Sequence, residues 1–226
     1  MPRHISIPNE IHALLGLGAH LIISVSGGKD SQAMTSAVRR HLPSVPARLL
    51  FADLGAAEWP QTRGMVQDFS RRYGAPLEVV QKRGPDGRPQ DFVDYYEGKM
   101  RRYAREKPGV PFWMSASTRD CTSGFKRSPT NAYFAHLELV INCEGIRAEE
   151  SPGRAKRPAL AVRSSGTAQA FRGMSVTEAI GAWRQAPMVH RPAPKAHQPQ
   201  TLPARAAGHH KPLLVIDWHP IHHWSE

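Results

Sequence analysis

The amino-acid sequence predicts an α/β fold with a doubly wound, mostly parallel sheet. Short apolar runs alternate with segments of helical periodicity between residues 19 and 142, which is the pattern of successive strand–helix–strand units. Distinctive polar residues follow three of the apolar runs, at 26–31, 53–58 and 145–150. Because the carboxyl ends of parallel strands meet at one edge of a sheet, we expect these three segments to converge on one ligand crevice.

Each element of this fold has its own signal in the sequence. A buried strand at 21–25 ends at a Gly-Gly pair, and Met34, Val38 and Leu42 then repeat at helical spacing. Gly74 is placed to end the helix before the third strand, because glycine readily adopts the left-handed conformation found after helices. The predicted strands are 21–25, 47–52, 76–81, 137–142 and a final apolar run from 213, and the predicted helices are 9–18, 34–42, 60–73, 91–106, 129–136 and 176–183.

The composition changes after residue 160, and this change divides the chain into three parts. Residues 1–160 contain the alternating strands and helices and are predicted to form the α/β domain. Residues 161–212 are rich in Pro, Ala, Gly, Gln, His and Arg, so we expect a flexible low-complexity linker or insertion with one helix at 176–183. Residues 213–226 are expected to be a short ordered segment, and the abrupt end after two tryptophans suggests a truncated chain.

Charge and cysteine content set limits on partners and compartment. The 226-residue chain has a net charge of +11 and a pI near 10.2. Either this surface binds a polyanion, such as nucleic acid or a highly charged nucleotide, or it is a solvated basic surface with no target. With two cysteines, no CxxC pair and no apolar run of membrane-span length, we expect a cytoplasmic protein with free thiols and no membrane association. A homo-oligomer is left open.

The segment SGGKDS at 26–31 is predicted to bind phosphate. A strand that enters a Gly-rich turn and then opens a helix presents backbone N–H groups and the positive end of the helix dipole to an anion. The lysine adds a full charge, and the serines add hydroxyl groups. The alternative is an ordinary strand-to-helix turn, in which the aspartate is a turn residue rather than a metal ligand. The candidate phosphate-binding residues are Ser26, Gly27, Gly28, Lys29, Asp30 and Ser31.

Four further basic residues are candidates for contacts with phosphate. Arg147 and Arg154 follow the fourth predicted strand, where they either clamp phosphate oxygens bidentately or form salt bridges with Glu149 and Glu150. Lys126 and Arg127 lie near a predicted helix start. There they either reach a nucleotide phosphate or sulfate or are ordinary surface residues.

Cys121 is the candidate nucleophile. It lies in a polar, basic loop, and the neighbouring Arg119 and Lys126 favour its thiolate form; the alternative is an unreactive thiol. Cys143 ends an apolar strand and is expected to be buried. The twelve histidines show no regular ligand spacing with acidic or cysteine partners, so no metal site is predicted.

Five segments together resemble the phosphoadenylyl-sulfate reductase family of the PP-loop, or adenine nucleotide α-hydrolase, superfamily. The resemblance covers residues 19–157 and the final dozen residues, and SGGKDS resembles the PP-loop itself. FADLGAAEWPQT, STRDCTSGFKRSP, EGIRAEESPGR and WHPIHHW resemble other family motifs in the same order. The resemblance implies a Rossmann-like PP-loop domain at 1–160. It adds Asp53 and Gly55 of the second-strand motif to the candidate nucleotide-binding residues.

The resemblance also implies the chemistry. The expected substrate is an adenine nucleotide, either ATP or phosphoadenylyl sulfate (PAPS), with Mg²⁺ as a candidate companion of the ATP phosphates. In the leading interpretation the protein is a transferase that cleaves ATP between its α- and β-phosphates. Lys29 then stabilises the leaving pyrophosphate while the adenylyl group, or sulfur in a related reaction, passes to an unknown acceptor.

Two alternatives stay open. The family reductases use a cysteine in a C-terminal Glu-Cys-Gly motif, with thioredoxin as donor, to convert PAPS to sulfite and adenosine 3′,5′-bisphosphate. This sequence has no such motif, so an oxidoreductase would need a cysteine from another chain. Cluster-bearing members need a Cys-Cys pair and a CxxC, so no iron–sulfur cluster is expected. The other alternative is a non-catalytic fragment that binds a nucleotide or, through its basic surface, nucleic acid.

Overall fold

The computed structural model describes residues 4–112, 120–166, 168–194 and 199–224. The strands are β1 (His20–Val25), β2 (Ala47–Asp53), β3 (Leu77–Gln81), β4 (Leu139–Cys143), β5 (Leu160–Val162), β6 (Val189–Arg191), β7 (Gly208–His210) and β8 (Leu214–Trp218). The α-helices are α1 (Asn9–Gly16), α2 (Lys29–His41), α3 (Thr62–Tyr73), α4 (Phe92–Glu106), α5 (Ser128–Phe134), α6 (Pro152–Ala155) and α7 (Val176–Gln185). Shorter turns of 3₁₀ helix occur at Gly55–Ala57 and Ala148–Glu150, and Cys121–Arg127 is π-helical. Within the described ranges, no helix is long and apolar enough to cross a membrane.

Six strands form the central sheet in the order β3-β2-β1-β4-β8-β5. Every neighbouring pair is parallel except β5, which runs antiparallel to β8 at the edge. The predicted doubly wound, mostly parallel sheet is therefore confirmed. From β1 the chain builds outward through β2 and β3, and it then crosses to the other side of β1 to form β4. This reversal of strand order leaves a crevice outside the carboxyl ends of β1 and β4.

Helices cover both faces of the sheet. Side chains alternate along β1, so Leu21 and Ile23 pack into one core and Ile22 packs into the other. The first core includes apolar residues of α1, α2, α3 and α7. The second includes Tyr133 and Phe134 of α5. Because both faces are covered, the strands read as near-continuous apolar runs, which is why the sequence located them well.

Each predicted helix and strand is present in the structure. Helix α2 begins at Lys29, well before the predicted start at residue 34, and the short α6 and the edge strand β5 were not predicted. Gly74 ends helix α3 in the left-handed region with φ of 58°, as predicted. The helix begins at Thr62 rather than near Pro60, because the Thr62 N–H first closes a turn by donating to the Trp59 carbonyl at 2.9 Å. This turn precedes the regular helical hydrogen bonds.

The segment predicted as a flexible linker, 161–212, contains more regular structure than expected. It includes α7, which was predicted, and the two-stranded β6–β7 sheet, which was not. Its backbone is also tied to the domain. The fully buried carboxylate of Glu78 on β3 accepts hydrogen bonds from the N–H groups of Gln200, at 2.9 Å, and of Thr201. Composition reports only local propensity, whereas this order comes from long-range contacts. The division into three parts stays a prediction.

Lys211 holds the end of α7 against this segment. Its ammonium group donates to the carbonyls of Trp183, Arg184 and Ala186 at 3.0, 2.9 and 3.0 Å. These carbonyls lie at the helix C-terminus, where the regular helical N–H donors end, although the Trp183 carbonyl also accepts from the Ala186 N–H at 3.3 Å. The lysine therefore replaces the missing donors and complements the negative end of the helix dipole.

We expect Lys211→Met to lower the free energy of unfolding by about 1–3 kcal/mol, because it removes three charge-assisted hydrogen bonds and retains most of the aliphatic stem. Urea denaturation followed by circular dichroism measures this loss. The exposed Lys156→Met is the matched control and should change stability by less than about 0.5 kcal/mol. Equal stability of the two variants would contradict this role for Lys211.

Candidate functional site

A cavity of about 1030 Å³ lies at the carboxyl edge of the sheet, between the ends of β1, β2, β4 and β8. Its position is the crevice that the strand order creates. The predicted site residues that line it are Ser26, Gly28, Lys29, Asp30, Ser31, Lys126 and Arg154. The first and third of the three polar segments therefore converge on one crevice. Gly27, Asp53, Gly55, Cys121 and Arg147 do not line it.

The SGGKDS loop is held in shape by its own hydrogen bonds. The Ser31 hydroxyl donates to the Gly28 carbonyl at 2.9 Å and accepts from the Ser26 N–H at 3.3 Å. Gly27 has φ of +74°, and a Cβ there would lie 3.0 Å from the Thr62 methyl group, so both conformation and space require glycine. Helix α2 starts directly after Gly28, and this N-cap residue makes no side-chain capping hydrogen bond. The first turn of the helix, with its N–H groups and the positive end of the helix dipole, lies at the mouth of the crevice.

The loop after β4 packs directly on the SGGKDS loop. A Cβ on Gly145 would lie 3.2 Å from the Asp30 carbonyl carbon and 3.3 Å from the Ser31 nitrogen, so a side chain there would require the two backbones to move slightly apart. Next to this contact, Arg147 pairs with Asp30 at 3.0 Å and also with Glu149. Arg147 is buried, so this structure supports its salt-bridge interpretation. It ties the two loops together.

Arg154 follows the same loop and lines the crevice, but it too has a carboxylate partner, Glu150. Ser151 accepts from the Arg154 N–H at 3.3 Å and caps the short helix α6. The C-terminal turn is hydrogen-bonded to this segment through His222. The Ala148 N–H donates to the His222 carbonyl at 2.8 Å, and the His222 imidazole donates to the Arg154 carbonyl at 3.1 Å.

A buried arginine forms the floor of the crevice. Arg163 follows β5 and donates to both oxygens of Asp217 on β8, at 2.6–3.1 Å. It also donates to Glu144 at 2.8 Å and to the Asn131 side-chain carbonyl at 3.1 Å. The His219 Nε2 atom lies 3.6 Å from the other oxygen of Glu144. One guanidinium group thus joins residues from α5, from the ends of β4 and β5, and from β8.

The two carboxylates on this arginine have opposite pKa shifts. Burial acts to raise the pKa of Glu144, but the neighbouring His219 and Arg163 outweigh it and hold this pKa at about 2. Burial raises the pKa of Asp217, and the charge of Glu144 adds to that effect against the opposing charge of Arg163. Because the two carboxylates share one cation and repel each other, Arg163 cannot lower the pKa of both to the same extent.

Asp53 and Gly55 have structural partners beside the crevice. One Asp53 oxygen accepts from the Gly55 N–H at 2.8 Å, and the other accepts from the Gln81 amide at 3.2 Å. Gly55 has φ of +72°, and its missing side chain makes room for Asp91. The Asp91 carboxylate accepts from the Ala56 N–H at 2.6 Å. These contacts shape the turn after β2, and the predicted nucleotide role of both residues stays a prediction.

The cysteines differ in accessibility. Cys121 is half-buried in the π-helical segment, and its partner in the predicted thiolate site, Arg119, lies outside the described residues. Cys143 is fully buried, as predicted, and burial raises its pKa well above the usual value. Lys126 lines the crevice with its ammonium 3.8 Å from the Glu58 carboxylate. No group of three or more His, Cys, Asp and Glu side chains in the described ranges is arranged to hold a metal ion.

Several crevice residues were not singled out from the sequence. The floor residues Glu144, Arg163 and Asp217 all line the cavity, as does Arg157. A carboxylate inside the apolar run LLVIDW was a signal that could have identified Asp217, because charged residues are rarely buried unless they are paired. The sequence holds no comparable signal for Arg163, because its partners lie in distant segments.

A protein-family model, described as the phosphoadenosine phosphosulfate reductase domain, matches residues 20–226, which include every element that lines the crevice. A comparison with curated proteins found no match to the chain.

The low pKa of Glu144 predicts a contribution to stability that acid removes. Its folded-state pKa of about 2 lies below the usual value near 4.3, so the contribution is complete above about pH 4.3 and is lost as the pH falls toward 2. We expect Glu144→Gln to lower the stability at pH 7 and to flatten the loss of stability below pH ~4.3. Denaturation series across this range measure both effects. The exposed Glu106→Gln is the control, and identical profiles for wild type and Glu144→Gln would contradict the prediction.

Proposed function

The chain belongs to the phosphoadenosine phosphosulfate reductase domain family, and on this premise we propose that the crevice binds an adenine nucleotide with its phosphates on residues 26–31. The observation that carries the proposal is the position of the α2 N-terminus, which follows two glycines directly and lines the crevice. Backbone N–H groups of this kind are ready-made donors to phosphate oxygens. Lys29 and Ser31 line the same wall.

A nucleotide also needs an apolar surface for its base, and the crevice has one. Val25, Leu50 and Ala52 line the crevice at the ends of β1 and β2. A flat adenine ring placed against them would leave the sugar and phosphates directed toward the loop. Apolar walls with a few fixed polar groups are typical of cofactor and nucleotide sites.

For the reaction, we propose adenylyl transfer. An acceptor oxygen attacks the α-phosphorus of ATP, the bond from that phosphorus to the bridging oxygen breaks, and pyrophosphate leaves with the electron pair. The acceptor loses its proton to a base or to water. Negative charge grows on the leaving pyrophosphate, so Lys29 and the α2 N–H groups would stabilise the transition state more than the ground state. A sulfur acceptor would follow the same course.

Mg²⁺ is a proposed companion of the nucleotide. This ion usually binds through one or two carboxylates together with substrate phosphates and water. Asp30 lines the crevice beside Lys29, but its carboxylate is already paired with Arg147. The residues therefore fit an ion held mainly by the phosphates, with Asp30, whose carboxylate would be shared with Arg147, as the loop's own carboxylate ligand. When bound, the ion would neutralise phosphate charge.

Reduction of a sulfonucleotide is the second candidate, because the matched family is described by it. In that reaction a thiolate attacks the sulfonate sulfur of PAPS, adenosine 3′,5′-bisphosphate leaves, and a dithiol donor such as thioredoxin then releases sulfite and becomes a disulfide. Cys143 is fully buried with a raised pKa, and Cys121 does not line the crevice. The first reaction therefore has the better support from the geometry.

Lys29→Ala tests the phosphate-binding loop. We expect it to weaken ATP affinity by about tenfold or more, because a full charge and its hydrogen bonds are lost. Isothermal titration with ATP measures the change. Lys107→Ala, on an exposed lysine after α4, is the matched control. Full nucleotide affinity in the Lys29 variant would overturn the proposed binding mode.

Labelled substrates separate the candidate reactions. Pyrophosphate and an adenylylated product from ATP would support transfer, with Lys29→Ala slower by about 100-fold or more. Sulfite from PAPS in the presence of thioredoxin would support reduction instead. Nucleotide binding with neither product, across a panel of acceptors that includes RNA and DNA, would favour the non-catalytic alternative.

A further inference from the structure

A second cavity, which we call the side pocket, adjoins the crevice. It measures about 410 Å³ and lies against α5, from which Ser128, Asn131 and Ala132 line it together with Ala135, the residue that follows the helix. Arg127 and Ser165 line both cavities, so they form the boundary between them. Its volume falls within the ~300–1000 Å³ range of small-molecule sites.

The wall between the cavities is fixed by a chain of hydrogen bonds. Asn131 accepts from the buried Arg163 at 3.1 Å and donates to the Ser165 hydroxyl at 3.3 Å. Gly166 has φ of +65°, and a Cβ there would lie 2.9 Å from Asn131, so the loop packs on α5 as closely as a glycine allows. The side pocket therefore has a wall that is held in place before any ligand binds.

The charge of the side pocket is positive. Three arginines near the crevice already have carboxylate partners, namely Arg147, Arg154 and Arg163. Arg127 makes no ion pair within the described parts of the chain, and no carboxylate is among the residues that line the side pocket. The hydroxyl of Ser128 lies in the same lining. An anionic group would find an unneutralised guanidinium and hydroxyl donors here.

We propose that the side pocket is the acceptor subsite and that it takes a small acceptor with an anionic oxygen group, held by Arg127, and an apolar portion, packed on Ala132 and Ala135. This inference rests on the proposed function, because it assumes that the nucleotide fills the crevice. The shared wall of Arg127 and Ser165 would then place the acceptor beside the nucleotide. Oriented reactants in adjoining subsites are what a transfer reaction requires.

Inorganic phosphate and phenyl phosphate are the probes. They are titrated calorimetrically into protein saturated with α,β-methylene-ATP, so that the loop at 26–31 is occupied. We expect saturable binding, tighter for phenyl phosphate, and a loss of about tenfold or more in Arg127→Ala and in Ala132→Leu. Ala132→Leu fills the side pocket without removing a polar group. Ala104→Leu, at an exposed alanine of α4, is the matched control and should bind both probes as wild type does.

The other possible results either overturn the side-pocket proposal or show that the proposed nucleotide binding itself is wrong. Unchanged probe affinity in both Arg127→Ala and Ala132→Leu would exclude the side pocket as an anion site. Weaker analogue binding in Ala132→Leu would assign the pocket to the nucleotide itself, which also overturns the proposal. If the analogue does not bind wild-type protein, the proposed function fails, and titration of the probes alone into wild type and Ala132→Leu still decides the side pocket. Circular dichroism confirms that each variant is folded.

Discussion

One buried cation organises the edge of the sheet. Arg163 is nearly inaccessible, and a guanidinium in that position is tolerated only with its charge and its hydrogen bonds satisfied. Asp217, Glu144 and Asn131 satisfy it, and in doing so they fix the relative positions of β8, the end of β4, and α5. The crevice floor, the wall of the side pocket and the antiparallel edge strand β5 all depend on this one group. Replacing it with an apolar residue would leave Glu144 and Asp217 without their cationic partner, with the Asn142 amide as the donor that the two still share.

The sequence located the sheet because its strands are buried on both faces and therefore appear as apolar runs between periodic helices. It was less informative from 161 to 212. There, order depends on single long-range hydrogen bonds, such as those from Gln200 and Thr201 to the carboxylate of Glu78 on β3. A carboxylate in β3 and a Pro-rich segment far along the chain show no mutual pattern. Local propensity could not have paired them.

In the candidate site, too, the features set by local sequence could be predicted and those set by long-range contacts could not. The SGGKDS loop is a local strand–turn–helix unit, so its position at the crevice could be predicted from the residues themselves. Arg147 was open to two interpretations, because the sequence cannot tell which anion an arginine faces. In the structure Arg147 forms an ion pair with Asp30, next to the close backbone contact at Gly145. Arg163, Glu144 and Asp217 come together only after the sheet has formed, and no spacing in the sequence indicates them.

The place of β8 in the sheet has a consequence for how the protein is made. This strand, residues 214–218, lies inside the sheet between β4 and β5. A ribosome delivers β1 to β5 first, so the growing chain must wait with one flank of β4 uncovered and with Arg163 lacking its main partner. Domains generally fold as units during synthesis. Until β8 emerges, the incomplete sheet therefore exposes an unpaired edge of β4, and exposed strand edges are prone to pair with other chains.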